Sequence, residues 1–290
     1  MGLRLKFNLV LAVVFLLGLV ASGTISYNLL HDNARAEVLR NAGVMMEAAL
    51  SMRSYTVEKV RPALRVSEEE FLPQSVPAFG ATQIMNLLRK KYPDYFYKEA
   101  TLNPTNPADR AVEWETDIVE AFRNTEGLKE TNGIRRTPSG PSLYLARPLT
   151  IRDGACLVCH SVPAAAPAAM VKAYGPSNGF GWKLNETIGA QIVSVPMALP
   201  VAAANRAFYA FMGSLAAVFV ILFAILNAML SMMIVRPIRA MSAAADRISV
   251  GDTEIEDLKV SGRDEVSVLA KSINRMRRSL EKAIKLIGDD

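Results

Sequence analysis

Two long apolar segments restrict the folds that are open to this chain of 290 residues. Residues 7–25 are almost entirely apolar, and residues 208–235 contain no charged side chain. Each segment is long enough to cross a hydrocarbon core as a helix, which takes about 20 residues. The mean hydropathy of +0.19 is high for a soluble protein and agrees with this interpretation. We therefore expect transmembrane helices at residues 7–30 and 207–235.

The first apolar segment also has features of a cleaved secretory signal, because the small residues Ala21, Ser22 and Gly23 follow the apolar run. The apolar region of a signal peptide is only about 7 to 15 residues long, however, and this run is longer. We interpret it as an uncleaved anchor.

The charges beside the two segments predict the orientation of the chain. Basic residues lie on the terminal side of each segment: Arg4, Lys6, Arg236 and Arg239. The positive-inside rule then places residues 1–6 and 236–290 in the cytoplasm. Residues 31–206 are expected to form the periplasmic domain of a two-pass inner-membrane protein. Its two spans are expected to contact membrane lipid.

Residues 156–160 read Cys-Leu-Val-Cys-His, which is the attachment sequence for a c-type haem. In such a site Cys156 and Cys159 form thioethers with the porphyrin edge, and His160 is the proximal ligand of the iron. The only two cysteines of the chain thus lie in the segment predicted to be periplasmic, where covalent attachment takes place. We expect one covalent haem c per chain.

A zinc site and a dithiol or disulfide are the other interpretations of the motif. A zinc site usually needs four protein ligands, and this chain has only two cysteines and two histidines, of which His31 lies far away in sequence. A dithiol redox centre or a disulfide remains an alternative, although a redox dithiol is expected beside a βαβ pattern, and none is apparent.

The sixth position of the iron is less well defined by the sequence. Because both thiols are assigned to thioethers, the candidates lie on the predicted long helix: Met45, Met46, Met52 and Tyr55. An open position is the other option. A thioether ligand would raise the reduction potential, whereas an open position would favour binding of a gas. Met52 is the first candidate for a sixth ligand.

The pattern between the spans predicts helices and a few strands. Residues 31–64 are expected to form one long helix, with an apolar stripe that serves as core or as dimer seam: Val38, Ala42, Met45, Ala49 and Met52. Further helices are expected at residues 81–91 and 108–124, the latter with Asp109 as N-cap. Strands are expected at residues 142–151 and 189–197. The Gly-Phe-Gly-Trp-Lys run at 179–183 fits either a haem edge or an ordinary glycine turn.

Several short runs in this region resemble a family of periplasmic haem c sensor domains that was long known only as a domain of unknown function. They are Met52-Arg53-Ser54-Tyr55, Tyr92-Pro93-Asp94-Tyr95, residues 103–107, Trp114-Glu115, the cysteine motif and residues 179–183. The similarity extends over residues 35–200. It implies an α+β, PAS-like domain with a long N-terminal helix and one covalent haem.

The segment after the second span resembles a HAMP domain. Apolar residues recur at steps of three and four in two blocks, from Ile238 to Ile248 and from Val266 to Ile287, and a connector at residues 251–263 separates the blocks. Two such helices form a parallel four-helix coiled-coil bundle only with a second chain, so a homodimer through HAMP and the membrane helices is expected.

These features favour a transmembrane haem sensor that detects redox state or a small gas and signals through HAMP. Because no kinase, cyclase or methyl-accepting region follows, a separate cytoplasmic effector is expected. A membrane-anchored electron-transfer cytochrome and a haemless small-molecule receptor are the alternatives. No nucleophile with a neighbouring base and no phosphate loop is found, so no enzyme is expected. The net charge of +5 is spread over the chain, which argues against nucleic-acid binding.

Overall fold

A computed structural model describes residues 2–64, 71–252, 254–259 and 262–288 of the chain. The chain divides into two compact units. Residues 27–207 form the sheet domain, and residues 1–26 together with 208–290 form the helical unit.

The first helix, α1, runs without a break from Leu3–Tyr55. It continues as a π-helical turn, Thr56–Val60, and a final α-helical turn, α2, at Arg61–Leu64. The expected long helix is therefore confirmed. Its apolar stripe belongs to the core of the sheet domain, since Val38, Ala42 and Ala49 have no solvent exposure.

The sheet has four antiparallel strands: β1 (Phe96–Thr101), β2 (Thr131–Thr137), β3 (Gly140–Thr150) and β4 (Thr187–Pro196). Their order across the sheet is β1-β4-β3-β2. Strands β3 and β4 correspond to the two expected strands, and the α+β fold class is confirmed. Strands β1 and β2 were not predicted, because β1 buries charged residues on both faces and β2 is a polar edge strand that contains asparagine, glycine and two arginines.

Helices cover both faces of the sheet. Helices α1 and α3 (Pro77–Lys91) bury apolar side chains on one face, where Met46, Leu145 and Val193 form part of the core. Helix α4 (Glu113–Asn124) packs on the other face against Ile192. Two short helices, α5 (Leu157–His160) and α6 (Ala168–Tyr174), follow between β3 and β4.

Two predicted helix starts are wrong. Helix α3 begins four residues before the expected position 81. Helix α4 begins at Glu113 instead of 108, and Asp109 lies in a separate 3-10 turn, so it is not the N-cap. Helix α4 starts late because the amide of Ala111 donates to the carbonyl of Thr101 at 3.0 Å. That bond holds the chain extended beside β1 before the helix begins.

Strand β1 places two adjacent charges on opposite faces of the sheet, because successive side chains of a strand alternate. Nζ of Lys98 lies 2.7 Å from Oε2 of Glu115 on α4. On the other face, Arg53 of α1 forms an ion pair with Glu99. Both carboxylates are buried, with 2% exposure for Glu115 and 4% for Glu99. Each helix layer is thus bound to β1 through a buried ion pair.

The helical unit contains the second apolar segment and the HAMP-like helices. Helix α7 (Ala198–Met229) is followed by a π-helical segment, Leu230–Val235, and then by α8 (Arg236–Ser249) and α9 (Glu265–Gly288). The α1 and α7 helices are long and apolar enough to cross a membrane by length and composition. Both expected spans therefore fall on candidate membrane helices.

The predicted connector separates α8 from α9, although its residues 253, 260 and 261 lie outside the described part of the chain. A small core of Ala244, Ile248 and Ile255 joins α8 to the connector. The buried Asn274 of α9 bonds both the amide and the carbonyl of Leu258, each at 3.0 Å. The connector is therefore attached to both helices.

Replacing Glu115 with alanine is expected to destabilise the sheet domain by about 3 kcal/mol, because the Lys98 ammonium, whose side chain is 13% exposed, would lose its carboxylate partner. The amide of Val112 would also lose its bond to Oε2 of Glu115, now 3.0 Å long. Denaturant unfolding followed by tryptophan fluorescence can measure this, since both tryptophans lie in the sheet domain.

The matched control is Glu113→Ala, which removes an exposed carboxylate from the same helical turn. We expect a change within about 0.5 kcal/mol for this control. Equal losses in the two variants would contradict a role for the buried ion pair.

Candidate haem site

The Cys-x-x-Cys-His motif forms a single helical turn. Asp153 starts it, because its carboxylate accepts from the amide of Ala155 at 2.9 Å and its carbonyl accepts from the amide of Cys156 at 3.1 Å. Residues three and four positions apart lie on the same side of a helix, so Cys156, Cys159 and His160 share one side. Both cysteines are free thiols. The structure thus brings the three predicted residues together.

The imidazole of His160 is fixed by a backbone carbonyl. Nδ1 lies 2.7 Å from the carbonyl oxygen of Gly179, which can only accept, so Nδ1 carries the hydrogen. Burial lowers the pKa of His160, and the bond to Gly179 opposes this only in part. The neutral ring therefore keeps its lone pair on Nε2. A histidine in this state, with its other nitrogen bonded to a carbonyl, is ready to bind a metal.

The glycine-aromatic run at residues 179–183 packs directly on this histidine. The ring of Trp182 stacks on the ring of His160, with centroids 3.9 Å apart and planes 16° apart. The amide of Trp182 donates to the carbonyl of His160 at 3.2 Å, and the amide of Gly181 donates to the carbonyl of Ser161 at 2.8 Å. The sequence left the role of this run open, and the structure places it against the motif.

The loop at residues 103–107 holds the same run from the other side. The side chain of Asn103 accepts from the amide of Gly179 at 3.2 Å and donates to the carbonyl of Phe180 at 3.3 Å. Oγ1 of Thr105 lies 3.4 Å from Nδ1 of His160. Asn103 and Thr105 therefore position the carbonyl that orients His160. In the sequence this loop is one of the runs that resemble the family, and its role beside His160 becomes visible only in the folded chain.

Gly179 is required by both its backbone and its neighbours. Its φ of +81° lies in the left-handed region, and a Cβ there would come within 2.0 Å of Oγ1 and 2.8 Å of Cα of Thr105. Only glycine lets the loop approach this closely.

Two arginines near the end of the long helix, Arg53 and Arg61, lie within electrostatic range of the cysteine motif. Arg53 pairs with Glu99 and is within electrostatic range of Cys156. The hydroxyl of Tyr97 donates to Oε1 of Glu99 at 2.8 Å, so both carboxylate oxygens are bonded. Burial raises the pKa of Cys159, and the positive charge of Arg61 opposes this rise. The sequence placed Arg53 in a family-like run without a role and did not single out Glu99, because the two residues are 46 positions apart.

The candidates for the sixth ligand occupy different surroundings. Met45 and Met46 belong to the apolar core of the sheet domain. Tyr55 is 55% exposed. Met52 is half-buried and faces α3, where a methyl group on Gly80 would lie 3.2 Å from its Cε. Met52 remains a prediction, and it is the neighbour in sequence of Arg53.

The residues present fit a covalently attached haem. Two free thiols lie on one side of a helical turn, with Cys156 exposed and Cys159 half-buried. The neutral imidazole of His160 has its Nδ1 satisfied and its Nε2 available. This donor set matches the attachment and proximal ligation of haem c.

Replacing Gly179 with alanine is expected to displace its carbonyl from His160 and to destabilise the sheet domain. The left-handed conformation alone costs an alanine about 1 to 2 kcal/mol, and the contact with Thr105 adds to that cost. Gly181→Ala is the matched control, since its φ is +80° and nothing lies within 4 Å of an added Cβ. Unfolding free energies measured in denaturant should fall further for Gly179→Ala, whereas equal losses would contradict the contact with Thr105.

Comparison with known proteins gives two family assignments. Residues 31–196 match the Tll0287-like family, and residues 229–282 match the HAMP domain. A comparison with curated proteins finds no match. The crystal structure of the cyanobacterial haem protein Tll0287 is 18% identical, with 55% of this chain and 95% of that chain covered and a TM-score of 0.43. A likeness that weak supports no conclusion about the fold. From the match over residues 31–196, the chain belongs to the Tll0287-like family, and it carries a HAMP domain after its second candidate span.

Proposed function

We propose that this protein is a two-pass inner-membrane sensor with one covalent haem c per chain in a periplasmic sheet domain. It responds to redox state or to a small gas and signals through its HAMP domain to a cytoplasmic effector. The proposal draws on the family match, on the HAMP match and on the two candidate membrane helices. In domain terms, residues 31–206 form the sensor, and residues 236–290 form the cytoplasmic HAMP region.

The geometry of His160 carries the proposal. Its Nδ1 donates to the carbonyl of Gly179 at 2.7 Å, and its Nε2 is left to bind iron, one turn from the Cys156 thiol. A simple dithiol or disulfide gives no reason for this arrangement of the histidine, whereas a c-type haem requires it. In this proposal Cys156 and Cys159 form the two thioethers, and His160 is the proximal ligand.

The residues around the motif control how the site behaves. A bound haem supplies an iron centre that changes charge on oxidation and can bind a sixth ligand. Gly179, held by Asn103, keeps the proton on Nδ1 of His160 and thereby fixes the direction of Nε2. Trp182 covers one face of the imidazole and limits the access of water to it.

The long helix supplies a route for the signal. Arg53 lies in the last turn of α1, pairs with Glu99 and is within electrostatic range of Cys156. A more positive haem group would repel Arg53, which would weaken its hold on the sheet. Because α1 contains the first apolar segment as one continuous helix, a shift at Arg53 is carried along it. The two redox states would then differ in the position of α1 that they favour.

The HAMP helices require a second chain to cover their apolar surface. In α8 and α9 several large apolar side chains are between 41% and 50% exposed: Ile238, Leu269, Met276, Leu280 and Ile284. Residues of this kind at heptad spacing form the seam of a coiled coil. We therefore propose a homodimer in which α8 and α9 of two copies form a parallel four-helix bundle.

Covalent attachment predicts that haem stays with the polypeptide through denaturing electrophoresis of the full chain. Cys156→Ser or Cys159→Ser should weaken or abolish haem staining of the band, since each removes one thioether. His160→Ala is the matched control, because it should change the absorption spectrum more than the linkage. Haem that is fully extracted by acid acetone would overturn covalent attachment, and a protein that binds no haem would favour the haemless receptor.

Ligation by Met52 predicts that Met52→Leu turns a six-coordinate ferrous spectrum five-coordinate and speeds the binding of carbon monoxide. Leucine keeps the side-chain volume beside Gly80, so the loss of sulphur is the main change. Met85→Leu, the same exchange in the core of α3, is the control and should leave the spectrum unchanged. An unchanged spectrum in Met52→Leu would remove Met52 as the ligand.

A parallel HAMP dimer predicts that a single cysteine at Leu280 forms disulfide-linked dimers in native membranes. Ser279→Cys, one position around the same helix, should cross-link several-fold more slowly because it lies off the seam. The rate is measured on non-reducing gels against the parent chain, which retains Cys156 and Cys159. Equal rates at the two positions would argue against the bundle.

A further inference from the structure

Two asparagines in the helical unit each hold an oxygen away from solvent, and neither oxygen has a hydrogen-bond partner among the residues that the structure describes. These atoms are Oδ1 of Asn8 and Oδ1 of Asn227. The NH₂ group of Asn227 is already used, since it donates to the carbonyl of Phe223 at 3.1 Å. In the hydrocarbon of a bilayer no water can satisfy such oxygens, and an unpaired polar group there is costly. The oxygen of Asn227 therefore needs a donor from another residue of the protein.

Contacts within the helical unit establish how the two apolar segments pair. The rings of Phe15 and Phe219 are stacked, with centroids 4.8 Å apart. A methyl group on Gly23 would lie 3.4 Å from Cε of Met212. Phe15 precedes Gly23 by eight residues, whereas its partner Phe219 follows Met212 by seven residues. The two helices are thus antiparallel in a constant register.

The same register brings the two asparagines to one level. Asn8 lies seven residues before Phe15, and Asn227 lies eight residues after Phe219. With a rise of 1.5 Å per residue, their levels differ by about one residue. Seven residues make about two helical turns, so Asn8 lies on the same face of its helix as Phe15. Asn227 lies about one turn after Phe223 and so shares a face with that ring. Phe223, one turn before Asn227, meets Phe15 edge-on with centroids 6.5 Å apart.

We propose that Asn8 and Asn227 of one chain form an interhelical hydrogen bond, with the NH₂ group of Asn8 donating to Oδ1 of Asn227. An amide carries both donors and acceptors, and a half-turn of the Asn8 amide exchanges its oxygen and nitrogen. This bond supplies a donor to the oxygen of Asn227, while the NH₂ group of Asn227 continues to donate to the carbonyl of Phe223. Polar pairs of this kind hold membrane helices together.

The position of the pair gives it a role in signalling. Asn227 lies immediately before the π-helical segment Leu230–Val235 and the start of the HAMP match at residue 229. The contact therefore holds the first span against the second at the entrance to HAMP, and it sets the position from which α8 starts. The inference rests on the two-span part of the proposed function and does not depend on haem.

A disulfide scan in native membranes tests the contact. Asn8→Cys combined with Asn227→Cys should cross-link within one chain under mild oxidation, seen as joined peptides by mass spectrometry without a dimer band. The controls are Val10→Cys with Asn227→Cys and Asn8→Cys with Ile225→Cys, because Val10 and Ile225 are 61% and 51% exposed. Control pairs that cross-link as fast as the Asn8→Cys, Asn227→Cys pair would overturn the proposed contact. A product that runs as a dimer on the gel would overturn an intrachain pair.

A double-variant comparison tests the hydrogen bond itself. The reporter is the cross-linking rate of Gly23→Cys with Met212→Cys, measured in the parent, in Asn8→Leu, in Asn227→Leu and in the double leucine variant. Each single variant should slow the reporter several-fold, and the double variant should slow it no further, since the same bond is lost in all three. Multiplied effects in the double variant, or no effect in the singles, would overturn the bond. Haem absorbance of the same samples reports separately on the proposed function.

Discussion

The alternation of side chains along β1 is the constraint on which the sheet domain depends. Lys98 and Glu99 are adjacent, so a strand must direct them to opposite faces, and each finds a partner of opposite charge on the helix that covers its face. A shift of β1 by one residue would bury both charges against the wrong helix. Glu115 and Arg53 therefore hold α4 and α1 in one register on the sheet.

The same arrangement connects the core to the candidate haem site. Arg53, in the last turn of α1, is bonded to Glu99 of the sheet and is within electrostatic range of Cys156 of the motif. The motif itself is held by two loops, one through Asn103 and one through Gly179 and Trp182. A histidine oriented by a carbonyl, a ring stack and a glycine-dependent loop contact can hold a metal with little reorganisation.

The helical unit obeys a different rule, because a membrane offers no water to polar groups. Its apolar helices are joined by ring stacking of Phe15 on Phe219, and their buried amides lie at one level. In the HAMP region, Asn274 bonds the connector at Leu258, which fixes a segment without regular structure. Polar side chains thus lie at the contacts in both parts of this unit, while apolar surface supplies the attraction.

Local patterns determined much of this protein. The apolar segments, the heptads of α8 and α9 and the Cys-x-x-Cys-His spacing are short-range signals, and they predicted the spans, the HAMP domain and the grouping of Cys156 with His160. Only the tertiary structure decided that Gly179 orients His160, that Arg53 meets Glu99 and that β1 is a strand. These contacts join residues that are 19 and 46 positions apart. Residues so far apart in sequence meet only after the sheet has formed, so no local pattern could have predicted their pairing.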